Sequence, residues 1–206
     1  MIYRDFKNKV LQLINRYTIT GSEVALSYNA QADYVNRIPG LLDDVQRYLA
    51  TTTRKIYASM PLDWEAAEER EGFYVIQMPT DFWQLSGRGI PVLKNGELTM
   101  YHRYRWLGQD KIIIPKKDAA DMELTYFRYP YEVPANPADN FELDNTPDAQ
   151  TAAAYYVAAN LVIEDNPFAY SALYNEFESR RNQMFELPQT EFDLVEDHYG
   201  ASVYDV

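Results

Sequence analysis

The strongest constraint on the fold is the period of the apolar residues, which changes from helical to strand-like and back along the chain. In the first segment the apolar positions fall on one helical face, namely Ile2, Phe6, Val10, Leu13, Ile14 and Tyr17. Between about residues 73 and 129 the pattern alternates with the period of a strand, and beyond residue 146 it is helical again. The two helical parts must meet, because each has an apolar face to bury.

Further helices are predicted before the strand-like region. The pattern indicates a second helix at about 23–37, which Pro39 stops because proline lacks the amide donor that a helix needs. A third helix is predicted at 41–56, followed by a short helix or connector at 60–72.

The helices after the strand-like region have clear start and stop signals. Thr146 is placed as an N-cap, with Pro147 at the first helical position. The sequence Asp165-Asn166-Pro167 ends this helix and begins another. The whole chain is therefore expected to contain about five helices.

The strand-like region predicts an antiparallel meander. Asn95-Gly96 between two apolar runs is a strong signal for a β-hairpin. Strands are expected at 73–78, 98–106, 111–115 and 122–129, which makes a sheet of about four or five strands.

These patterns predict an α+β fold. A helical bundle at 1–72 and 130–186 is interrupted by an inserted β module at 73–129, and residues 187–206 form an extended acidic arm.

Charge is segregated along the chain. The net charge is −12, yet residues 1–130 carry 17 Lys/Arg against 16 Asp/Glu, whereas residues 131–206 carry 2 against 15. Such segregation favours partner contacts or a surface of one sign, and it disfavours tight gripping of nucleic acid, which needs clustered cations.

The composition and the apolar pattern argue against several functional classes. The chain has no cysteine, which excludes disulfides and thiolate chemistry. No apolar run approaches the length of a membrane span, and the first residues lack the layout of a signal peptide.

One carboxylate stands in an apolar setting in the sequence "QMPTDFWQLSG". Asp81, or Thr80 before it, is expected to cap a helical turn at 82–85 whose aromatic rings cover the end of the sheet. A single carboxylate without a second reactive group makes a poor acid–base site, so no catalytic residue is assigned.

No metal or cofactor site is predicted. His102 and His198 are far apart in sequence and have no cysteine beside them, and the glycines lack the spacing of a phosphate-binding loop.

Basic residues concentrate in the β module, interleaved with tyrosines and Trp106. Between residues 88 and 117 only Glu97 and Asp110 oppose them. The cations of this predicted basic face are Arg88, Lys94, Arg103, Arg105, Lys111, Lys116 and Lys117. The face suits either nucleic acid or an acidic partner.

An acidic partner exists in the same chain. Residues 186–206 hold six Asp/Glu and no Lys/Arg, with an apolar content too high for a merely solvated end. We expect this arm to bind a groove on a neighbouring subunit or another protein. Its expected contact residues are Phe192, Leu194, Val195, Tyr199 and Tyr204.

Several segments together resemble the head–tail adaptor proteins, also called head-completion or connector proteins, of tailed bacteriophages. They are the N-terminal helical section, "MPTDFWQL" after a strand, "DKIIIPKKDAADMELTYFRYP" and "LDNTPDAQTAAAYYVAANLVIEDNPFAYSALYNEFESRRNQM". Their order and spacing carry the resemblance, which extends over roughly residues 1–186.

The resemblance implies a virion protein, made in the host cytoplasm, that forms a ring, commonly a dodecamer, at the capsid–tail junction. Such a ring binds the portal protein and other neck or tail proteins, and the C-terminal segment commonly reaches the portal. DNA passes through the lumen without specific binding. No enzyme activity, cofactor or membrane contact is implied.

Two other classes remain open. One is a carboxylate-dependent hydrolase of cell-wall glycan, with Asp81 paired with one of Glu68, Glu69 or Glu71. The other is a nucleic-acid-binding module that uses the basic strands.

Overall fold

The computed structural model describes residues 1–18, 28–87, 89–94 and 97–185. The chain is a mixed α+β protein with antiparallel sheets, which confirms the predicted class. It divides into two compact units. Among the described residues, the helical unit comprises 1–49 and those from Val133 to Phe185, and the β unit comprises Ala50–Glu132. The predicted acidic arm at 187–206 lies outside the described residues.

The described residues contain four α-helices, so the prediction of about five is not confirmed. They are α1 (Tyr3–Thr18), α2 (Tyr28–Thr52), α3 (Pro147–Val162) and α4 (Pro167–Phe185). The predicted N-cap Thr146 and the stop before Pro167 are confirmed.

The helices predicted at about 23–37 and at 41–56 are one helix, because α2 runs through Pro39 without ending. Its buried residues form one stripe on both sides of the proline: Tyr34, Ile38, Leu42, Val45 and Leu49. Pro39 in a helix interior costs about 3 kcal/mol. Burial of five large side chains, at roughly 1.5–3 kcal/mol each, outweighs that cost.

The helix α3 forms the centre of the helical unit and contacts both α1 and α4. Small side chains make this possible, because they let neighbouring helices approach closely. The alanines of α3 that are buried are Ala149, Ala152, Ala153, Ala154, Ala158 and Ala159. Phe6 of α1 and Phe177 of α4 are fully buried in the same core.

Buried and half-buried polar side chains of the helices hold the chain segment that leads into α3. The Asp43 carboxylate on α2 accepts a hydrogen bond from the backbone amide of Val133, at 2.9 Å. The Gln150 side chain on α3 donates to the carbonyls of Leu143 and Asn145. These bonds hold the connector before α3 against the helices on both sides.

The β unit contains nine described strands. They are β1 (Ile56–Pro61), β2 (Glu68–Arg70), β3 (Phe73–Gln77), β4 (Phe82–Leu85), β5 (Ile90–Lys94), β6 (Glu97–Tyr101), β7 (Arg105–Leu107), β8 (Lys111–Pro115) and β9 (Glu123–Arg128). They form three antiparallel sheets, ordered β1-β9-β4, β2-β3-β8-β7 and β5-β6.

The single meander predicted for this region is therefore wrong. Half of the strand pairings join strands that are not consecutive in the chain, because β9 pairs with β1 and β4, and β3 pairs with β8. The hairpin predicted around residues 95 and 96 is confirmed by the pairing of β5 with β6.

Two strands lie where a helix or connector was expected. The strand β1 includes Ile56, which the apolar pattern places in the third helix. Three successive threonines at 51–53 disfavour continuing the helix that far. The strand β2 is three exposed charged residues and carries no apolar signal. Glu71 and Gly72 both have positive φ and make the two-residue turn from β2 to β3.

The long strand predicted at 98–106 is also wrong. It is divided between β6, which pairs with β5, and β7, which pairs with β8. The chain leaves one sheet for another at residues 102–104, so strand pairing stops there.

Candidate functional site

The four-stranded sheet β2-β3-β8-β7 has one face in the core of the β unit. Ile112 and Ile114 of β8 are completely buried there, together with Ile76 of β3. Side chains alternate along a strand, so the intervening residues point to the opposite face.

We call that opposite face the outer face, and the strand register defines its members. Arg105 is paired with Ile113, and Leu107 is paired with Lys111. On the other side of β8, Val75 is also paired with Ile113. Directly paired residues point the same way. The residues of the outer face therefore include Glu68, Arg70, Phe73, Val75, Arg105, Leu107, Lys111 and Ile113, of which Val75 is buried.

The outer face is both apolar and basic. Phe73 is 42% exposed and Leu107 is 40% exposed, and neither belongs to the core cluster of the β unit. Arg105 is exposed on the edge strand β7, and Lys111 is half-buried on β8. Large apolar side chains next to cations are typical of a protein-binding surface.

An ion pair lies at the β2 edge of the outer face. Arg70 Nε donates to Glu68 Oε1 at 2.8 Å. This hydrogen bond, with a smaller contribution from the charge of Lys111, lowers the pKa of the Glu68 carboxyl. Glu68 therefore stays ionised near neutral pH.

Lys116 of the predicted basic face is engaged elsewhere. It forms an ion pair with Glu69, and its ammonium group lies 5.5 Å from the centre of the Tyr74 ring. Tyr74 is paired with the core residue Ile114, so this cation belongs to the opposite side of the sheet.

Arg103 and Lys117 line a separate surface hollow. His102, Tyr101 and Asp118 also line it. The Tyr101 hydroxyl lies 2.9 Å from the Asp118 carboxylate; burial and, to a lesser degree, this hydrogen bond raise the pKa of Tyr101 to about 12. The hollow is built around a structural hydrogen bond and has cations at its border.

The basic residues predicted to form one face are thus placed in at least three regions. Arg105 and Lys111 come together on the outer face, and Arg103 and Lys117 come together at the hollow. Arg88 lies outside the described residues, as does the side chain of Lys94. The contact residues predicted in the arm, which are Phe192, Leu194, Val195, Tyr199 and Tyr204, and also His198, are likewise outside them.

Asp81 does not cap a helical turn, because residues 82–85 form strand β4. Its backbone carbonyl accepts a hydrogen bond from the Tyr129 amide at 2.8 Å. Its side chain accepts one from the Tyr126 hydroxyl at 3.2 Å. These contacts join the start of β4 to β9. The aromatic residues that follow, Phe82 and Trp83, pack against Tyr126 and Phe127 of β9.

Sequence reasoning missed Phe73, Leu107 and Ile113 as surface residues. The alternation of apolar residues in β3, β7 and β8 was visible, but both alternate sets contain large apolar side chains. Only the register shows which set faces the core cluster of the β unit and which set lies on the outer face.

Within residues 1–18, 28–87, 89–94 and 97–185, no group of three histidine or carboxylate side chains is placed to hold a metal ion. Within the same ranges, no helix combines the length and the apolar character needed to cross a membrane.

No protein-family model matches this chain, and no curated protein matches it either.

Proposed function

We propose that this chain is a structural virion protein that forms a ring between the capsid portal and the tail and continues the DNA channel. In this role it works through surfaces that bind neighbouring subunits, the portal and other neck or tail proteins. It catalyses no reaction and holds no cofactor.

The observation that carries the proposal is the way the helical unit is built from both ends of the chain. The helices α1 and α2 precede the β unit, α3 and α4 follow it, and α3 packs against α1 and α4. This is the order that the resemblance to head–tail adaptors implies. The alanines of α3 are what allow the late helices to close on the early ones.

The surface of the helical unit adds support. Phe168, in the first turn of α4, is 76% exposed, and Ile163 just after α3 is 42% exposed. Two large apolar side chains at one helix–helix turn leave unfavourable surface in water. A neighbouring subunit or the portal would cover it.

The charge distribution is compatible with a DNA channel. The acidic residues are concentrated in the segment that contains α3, α4 and the arm. A like-charged wall repels the DNA backbone and prevents adhesion during passage.

Electron microscopy of the purified full chain, alone and mixed with the portal ring of the same virion, tests this function. The proposal predicts closed rings of the chain on the axis of the portal. A chain that never associates with the portal ring would contradict it.

A matched pair of variants makes this test more specific. Phe168→Asp is expected to weaken portal or subunit association without unfolding the chain, because Phe168 is mostly in solvent. Asn175→Asp adds the same charge at another exposed position of α4 and serves as the control. Equal effects of the two variants would indicate a general charge effect and remove Phe168 from the interface.

A further inference from the structure

The outer face of the β unit has an open edge. In the sheet order β2-β3-β8-β7, the strand β7 is at the end and pairs only with β8 among the described strands. All three residues of β7, Arg105 to Leu107, are exposed. An exposed edge strand has unpaired backbone donors and acceptors, which can pair with an added strand.

The chemistry of the outer face restricts what can bind there. Leu107 and Phe73 supply exposed apolar area, and Arg105 and Lys111 supply positive charge beside it. A suitable ligand is an extended segment that carries both carboxylates and aromatic or aliphatic side chains.

Residues 186–206 of this chain have that composition. They contain six Asp/Glu and no Lys/Arg. In the sequence Glu191-Phe192-Asp193-Leu194 acidic and apolar residues alternate, which is the period of a strand. The segment follows directly after α4, and fully extended it could reach about 70 Å.

We propose that residues 186–206 of one copy bind the outer face of a second copy, alongside β7. Binding between copies rests on the ring assembly proposed above, whereas the choice of this face rests on charge and apolar complementarity. Each subunit then offers one face and one arm, a head-to-tail contact that closes into a ring.

Binding of a synthetic peptide of residues 186–206 to the full chain tests the choice of face. The peptide carries a fluorophore, and its anisotropy is followed as the chain is added. Arg105→Ala/Lys111→Ala removes the two cations of the outer face and is expected to raise the dissociation constant about tenfold.

The hollow provides a matched control. Arg103→Ala/Lys117→Ala also removes one arginine and one lysine from the β unit, but away from the outer face. It is expected to change the dissociation constant by less than about twofold, the residual effect of long-range charge. If both double variants weaken binding equally, or if a scrambled peptide binds as tightly as the native one, the proposed face is wrong.

A cross-linking experiment tests whether the contact joins two copies. Leu107 is replaced by p-benzoylphenylalanine in full chains of ordinary isotope content, and these are mixed with ¹⁵N-labelled wild-type chains. Cross-links from position 107 to labelled residues 186–206 support the proposal. Cross-links only to the unlabelled arm of the same chain, or to no arm residue, overturn it.

This inference and the proposed function can fail separately. Rings on the portal without the cross-link would leave the proposed function standing and remove the arm–face contact. The cross-link without any association with the portal would do the reverse.

Discussion

Because α2 continues through Pro39, replacing a glycine by alanine should have opposite effects on stability at Gly40, inside α2, and at Gly72, in a turn of the β unit. Gly40 lies inside α2, is exposed, and has nothing within 4 Å of the position that a Cβ would occupy. Gly72 is equally uncrowded, but its φ is +90° in the turn between β2 and β3. Crowding is therefore absent at both sites, and only the backbone conformation differs.

The expected magnitudes follow from that difference. Alanine is favoured over glycine in a helix interior by about 0.8–1 kcal/mol, so Gly40→Ala should stabilise the helical unit by about 1 kcal/mol. At positive φ an L-residue costs roughly 1–2 kcal/mol, offset by about 0.4–1 kcal/mol from the stiffer unfolded chain. Gly72→Ala should therefore destabilise the β unit by about 1 kcal/mol.

Urea unfolding can follow the two units with different signals. All three tryptophans, Trp64, Trp83 and Trp106, are in the β unit, whereas α1, α3, α4 and most of α2 are in the helical unit. Circular dichroism at helical wavelengths should show a midpoint raised by about 0.3–1 M for Gly40→Ala. Tryptophan fluorescence should show a midpoint lowered by a similar amount for Gly72→Ala.

The direction in which Gly40→Ala shifts the urea midpoint decides between one continuous helix and two. If α2 were two helices separated by a Pro39-Gly40 turn, the glycine would be needed and its replacement would lower the midpoint. A lowered midpoint for Gly40→Ala would refute the continuous helix.

Three other predictions concern buried contacts. Gln150→Ala should lower the unfolding free energy of the helical unit by about 1–3 kcal/mol in urea titrations, because the buried Gln150 amide loses its hydrogen bonds to two backbone carbonyls. Gly89→Ala should destabilise the β unit, because the new Cβ would lie 2.8 Å from the His102 ring and 2.9 Å from the Tyr101 carbonyl oxygen. Tryptophan fluorescence should show a lowered urea midpoint, and an unchanged midpoint would contradict this packing. Burial and the hydrogen bond to Asp165 raise the pKa of Tyr34 to about 12, so above pH 10 the unfolded tyrosine loses its proton first and stability should fall between pH 10 and 12. Tyr34→Phe should lose less stability than wild type across that range, and an equal loss would show that Tyr34 does not contribute.

Local patterns predicted the elements that are determined locally. The apolar stripe of α1, the Thr146-Pro147 start of α3 and the hairpin of β5 and β6 each depend on residues close together in sequence. The continuous α2 was missed because tertiary burial of its stripe outweighs the preference of Pro39.

The candidate site was predicted less well because it depends on which strands share a sheet and on their register. The sequence indicated a basic and aromatic region, but Arg105 and Lys111 meet only through the register of β7 with β8. Arg103, two residues from Arg105, lies at the hollow and not on the outer face, because the chain changes sheets between β6 and β7. Proximity in sequence therefore did not reveal which cations share a face.

The proposed function depends on assembly, and electron microscopy of the purified full chain mixed with the portal ring of the same virion tests it most directly. We expect class averages in which copies of this chain form a closed ring coaxial with the portal, with a central opening wide enough for duplex DNA. If the chain stays a free monomer and the portal ring carries no added density, the chain does not join portal to tail and the central claim is wrong.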